Sequence, residues 1–187
     1  MHNPAQVDVQ LEKKGLLHRL NTLYHERMLQ LFLLITLLHW AEHLTQAYQI
    51  WVLHWPRPQA LGFLGYYYPW LVHSEWLHYG YALVMLVFFF LLRRGFTGRS
   101  LVWWNIALAI QFWHHIEHFL LLIQKVSHTI FFGASSPTSI IQLIAPRVEL
   151  HLFYNTVVFI PMVVAMFLHM FPSADEKKNM ACSCARR

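Results

Sequence analysis

Four long apolar stretches, residues 28–53, 69–92, 100–124 and 147–171, govern what this chain can fold into. Each matches the ~20 residues a helix needs to cross a ~30 Å hydrocarbon core. They are too long for strands, and in lipid a single segment satisfies its own backbone hydrogen bonds only as a helix. Segments 82–92 and 157–168 offer no polar face of the kind a soluble bundle requires. Composition agrees: 12% of residues are charged, against roughly 25% in an ordinary soluble domain. The expected fold is all-α, a polytopic membrane four-helix bundle over 28–171. A polar arm, 1–27, precedes it, and a polar tail without structure, 172–187, follows. The arm carries Asp8, Glu12, Lys13 and Lys14 where a cleavable signal would place an apolar core. An amphipathic helix over 7–25, lying at the membrane interface, is expected there instead.

The basic residues set the expected orientation. Lys13, Lys14, Arg19 and Arg27 precede the first segment, Arg93, Arg94 and Arg99 join the second to the third, and Lys177, Lys178, Arg186 and Arg187 follow the fourth. Only Arg57, Lys125 and Arg147 fall on the other side. The positive-inside rule therefore predicts cytoplasmic N and C termini in a multi-pass protein of the inner or plasma membrane. The net charge of +5 is accounted for by topology and anionic lipid, so nucleic acid is not an expected partner. Pro56, Pro58, Gly62 and Gly65 make residues 54–68 an expected loop, and the longer 126–147 connection is expected to lie on the membrane or fold back as a lid.

Between Arg27 and Ser173 the chain has four acidic residues, Glu42, Glu75, Glu117 and Glu149, one in each segment, each with a histidine within three positions. Ionisable groups in a bilayer are expensive and persist where they pair, face a cavity or bind an ion. His39, Glu42 and His43 stand at i, i+3 and i+4 on one helix face, and His114, Glu117 and His118 repeat that spacing. Both copies have a glutamine six positions later, Gln49 and Gln124. The second and fourth segments share Leu77-His78-x-x-Tyr81 and Leu150-His151-x-x-Tyr154. These matches predict two pseudo-symmetric helical hairpins. At 1.5 Å per residue the histidines fall within ~10 Å of one another in depth, in the exoplasmic half.

The expected metal ligands are His39, Glu42, His43, Glu75, His78, His114, Glu117, His118, Glu149 and His151. His115, Tyr81 and Tyr154 are expected behind them. So many donors exceed the needs of one ion and predict two transition-metal ions. Mixed imidazole and carboxylate ligands suit iron first, with zinc or manganese next. His39-x3-His43 and His114-His115-x2-His118 resemble the histidine boxes of membrane alkane hydroxylases and desaturases, although their count, order and depth differ. The soluble parallel is the di-iron four-helix bundle. The reading is a dinuclear non-haem oxidoreductase acting on a lipophilic substrate or quinol. It would need an external redox partner or further membrane subunits, because the chain has no nucleotide motif. The alternatives are a bis-histidine haem b electron-transfer protein and a transition-metal transport or delivery protein. His2, His18, His25, His54, His128 and His169 are expected to be solvated, and the Cys182-x-Cys184 pair to have no specific role.

Overall fold

The computed structural model describes residues 15–182, 184 and 185. Among them there is no strand. Eight α-helices follow in order: α1 (Leu16–Leu20), α2 (His25–Trp51), α3 (Gly62–Tyr67), α4 (Pro69–His73), α5 (Trp76–Leu92), α6 (Gly98–Ser127), α7 (Arg147–Met170) and α8 (Ala174–Asn179). Helices α2, α5, α6 and α7 are long and apolar enough to cross a membrane. They pack in a closed ring, α2 on α5, α5 on α6, α6 on α7 and α7 on α2, with the α6–α7 contact the most extensive. Leu34, Leu38, Phe90, Val102, Phe112, Phe153, Ile160 and Phe167 point outward and are exposed. An apolar exterior around a partly polar interior is what lipid as solvent requires.

The interior is divided by depth. Toward the start of α2 and the end of α7, the core is apolar: Phe32, Phe89, Trp104, Met162 and Ala165 are buried together. Trp104 Nε1 donates to Phe89 O at 2.9 Å, so the indole also satisfies a carbonyl across helices. Toward the loops, the buried residues include His39, Glu42, His43, His78, His114, Glu117, His118 and His151.

Three expectations are corrected. The 69–92 segment is not one helix: Glu75, with φ 65°, separates α4 from α5, and a left-handed glutamate costs roughly 1–2 kcal/mol. The turn lets the Glu75 carboxylate reach Arg147 on α7. Residues 54–68 are not plain loop, since they contain a 3₁₀ turn, Arg57–Gln59, and α3. The tail is not without structure: Ser173 caps α8, exchanging hydrogen bonds with Glu176, and Glu176 accepts from Arg99 Nη2 at 2.9 Å. Of the helix expected over 7–25, the described residues show α1 and the first residue of α2, while residues 7–14, like His2, lie outside the described residues.

Candidate metal centre

Helical spacing places His39 and His43 on one face of α2, and His114 and His118 on one face of α6, one turn apart in each case. His78 lies in the first turn of α5 and His151 near the start of α7. All six rings are buried and meet in the ring of helices. Centroid separations are 4.6 Å for His39–His43, 4.9 Å for His43–His151, 5.7 Å for His43–His78, 4.5 Å for His114–His118 and 4.9 Å for His118–His151.

The tightest group is His114, His118 and His151, each offering a donor atom within 4.8 Å of the others. His118 Nε2 lies 3.2 Å from His114 Nε2 and 3.2 Å from His151 Nε2. His151 Nδ1 stands 2.6 Å from the Arg147 carbonyl. A carbonyl only accepts, so Nδ1 carries the proton and Nε2 turns its lone pair inward. A single proton on His118 Nε2 can serve only one of its two neighbours. One metal ion would replace that deficit with three bonds, since tetrahedral ~2.0–2.1 Å bonds put nitrogens ~3.3 Å apart. His43 repeats the arrangement. Its Nδ1 meets Gln46 Oε1 at 2.8 Å, while its buried Nε2 has no hydrogen-bond partner.

The four glutamates take other positions. Glu42 accepts from the backbone amides of Phe63 at 3.1 Å, Leu64 at 3.0 Å and Gly65 at 3.4 Å. Its carboxylate thus satisfies the free amides of the first turn of α3. Glu117 accepts from Ser139 Oγ and from Ile141 N at 3.3 Å, holding the 126–147 connection. Glu75 forms a two-pronged pair with Arg147, through Nη1 at 2.7 Å and Nη2, and its Oε2 lies 4.0 Å from His78 Nδ1. Glu149 is drawn outward by Arg57, with hydrogen bonds of 2.9 and 2.5 Å. None of the four joins the group of mutually close donor atoms among the described residues. The glutamates are bound by loops and arginines because those are the unpaired donors at the loop end of the bundle.

The repeated glutamines do the same work. Gln49 bonds Gly62 N at 2.9 Å and Gly62 O at 3.2 Å. Gln124 bonds Phe131 N at 2.9 Å and Thr138 O at 2.8 Å. Tyr81 packs on His39 at 4.8 Å and Tyr154 on His114 at 4.3 Å, both next to the histidine cluster. His115 turns away, toward Tyr79 at 5.3 Å. A cleft of about 630 Å³ opens among the loops and reaches His43, His78 and His151, with Arg57, Lys125 and Arg147 on its walls.

Two histidines expected to be solvated, His25 and His169, are instead fully buried at the other end of the bundle. Each sits at a helix terminus, where spacing patterns carry no signal. The usable clue was the Cys-x-Cys pair, which needs partners from elsewhere in the chain. Comparison of the chain with protein-family models, with curated proteins and with solved structures finds no match.

Proposed function

We propose that this chain is an integral membrane metalloprotein whose imidazole-walled centre binds transition-metal ions and carries out redox chemistry. The observation that carries this reading is the triad of buried Nε2 atoms, His118 at 3.2 Å from both His114 and His151. His114, His118 and His151 would hold one ion, with the buried His39, His43 and His78 rings walling the other side of the centre. Three neutral imidazoles leave an open coordination position, the arrangement typical of reactive rather than structural sites. The glutamates serve elsewhere in this account, so the donor set is imidazole alone. For redox chemistry that set suits iron or copper, whereas zinc has no accessible second oxidation state, and it moves the centre away from a carboxylate-bridged di-iron site. The cleft, lined by both apolar and polar residues, would admit water or dioxygen to His43, His78 and His151, whereas a lipophilic substrate or quinol would enter between helices.

The matching contacts of the two motif copies (Glu42 and Gln49 on one connection, Glu117 and Gln124 on the other) support a duplicated hairpin related by a pseudo-two-fold axis. With the basic residues at the termini end facing the cytoplasm, the centre would lie in the exoplasmic half. The test is metal content, absorption and paramagnetic resonance of the protein purified in detergent. A bound ion lost in His118→Ala and His151→Ala supports the reading; a Soret band would assign haem b, and no metal would remove the centre.

A further inference from the structure

We propose a second metal site, a closed zinc-type centre of two thiolates and two imidazoles, formed by His25, His169, Cys182 and Cys184 at the end of the bundle opposite the histidine cluster. One donor atom from each of these residues lies within 4.8 Å of all the others. His169 Nε2 is 3.2 Å from Cys182 Sγ, and His25 Nδ1 is 3.6 Å from Cys184 Sγ. A tetrahedral ion with ~2.3 Å bonds to sulfur and ~2.0–2.1 Å bonds to nitrogen holds the two atom types ~3.6 Å apart. The measured separations are therefore near what the ion demands.

The surroundings are built for a ligand. His25 Nε2 is 3.1 Å from the Leu92 carbonyl, which fixes the proton on Nε2 and frees Nδ1 as the donor, the usual support of a metal-bound imidazole. A Cβ at Gly95 would collide with that ring, so glycine is what lets the 3₁₀ turn Arg93–Gly95 approach it. His169 Nδ1 is buried without a hydrogen-bond partner, so the polar contact of this ring is made through Nε2, toward Cys182. Phe96 lies against both rings, at 5.2 Å from His25 and 4.7 Å from His169, and keeps water away. Cys184 is buried in a tail that is otherwise polar, which hydrophobic packing alone does not account for.

Two thiolates and two neutral imidazoles neutralise a divalent ion and fill four positions, so the site is structural. It would clip the tail to the start of α2 and the end of α7. The apolar layer of Phe32, Phe89, Trp104 and Met162 separates it from the histidine cluster, so the two centres act independently.

The test uses the full chain in detergent, first as purified and then loaded with Zn²⁺ or Co²⁺. Replacing both cysteines, Cys182→Ser with Cys184→Ser, is expected to remove about one ion per chain, because a closed site holds one. It should also abolish the thiolate-to-cobalt charge-transfer bands, whereas His118→Ala keeps them. Thiol alkylation of the unmutated chain provides a check that needs no variant, with Zn²⁺ slowing it at least tenfold and a chelator restoring it. Unchanged metal content in the double variant, cobalt spectra without thiolate bands, or alkylation indifferent to Zn²⁺ would each overturn the site.

Discussion

Glu42 shows most sharply what one side chain does here. Its two oxygens serve three amides of α3, so its loss strands buried donors, at about 1–3 kcal/mol. Glu42→Ala and Glu117→Ala are therefore expected to lower the melting temperature in detergent while leaving metal content unchanged; loss of metal in either would return the carboxylate to the ligand set. His118→Ala should do the reverse, emptying the centre with a smaller effect on melting. Gly62 is equally constrained, with φ 80° and a would-be Cβ colliding with the Glu42 carboxylate. Gly62→Ala is expected to destabilise by more than the ~1 kcal/mol cost of the left-handed conformation alone. The sequence located every one of these residues but not their partners. The i, i+3, i+4 spacing placed His39, Glu42 and His43 on one face, and that much is helix geometry. Which donors Glu42 meets depends on where residues 62–65 fold, and nothing local encodes that.

At the scale of elements, the loops are held by long-range polar contacts. The Glu75–Arg147 pair joins the α4–α5 turn to the first turn of α7. Glu75 is buried, so removing one partner alone leaves an uncompensated charge worth about 3–5 kcal/mol when fully enclosed, less here because Arg147 is 36% exposed. Arg147→Met should be partly rescued by adding Glu75→Gln, read as a double-mutant cycle of melting. The tail helix α8 responds to pH. Hydrogen bonds from Arg99, and the amides of Ser173 and Arg99, hold the Glu176 carboxyl well below the usual carboxylate range. A lowered folded-state value stabilises docking above the ordinary glutamate value of about 4.3 and is lost as pH falls through the folded value. Amide exchange at 174–179, corrected for intrinsic rates, should therefore be slow at pH 7 and accelerate below about pH 4. Four membrane-length helices were legible from hydropathy because length and apolarity are local properties. The break at Glu75 was not, since a distant arginine accompanies it; the tail carried a local signal, the Ser173-x-x-Glu176 capping box, but its docking through Arg99 was not legible.

For the molecule as a whole, the division of the interior organises the account. The loop end holds imidazoles and the termini end an apolar core, with the Cys/His cluster beyond it. Both termini are expected on the cytoplasmic side, so a fluorescent protein fused after Arg187 should fluoresce and a periplasm-dependent phosphatase fused there should be inactive. The opposite pattern would invert the topology and place the centre toward the cytoplasm. The proposed centre rests on buried imidazoles alone holding the metal at the loop end. X-ray absorption at the metal edge tests it most directly, on the full chain carrying Cys182→Ser and Cys184→Ser so that only this centre contributes. A nitrogen shell with imidazole scattering that disappears in His118→Ala and His151→Ala is expected; carboxylate oxygens in the shell, a porphyrin signature, or no bound metal would overturn the all-imidazole centre.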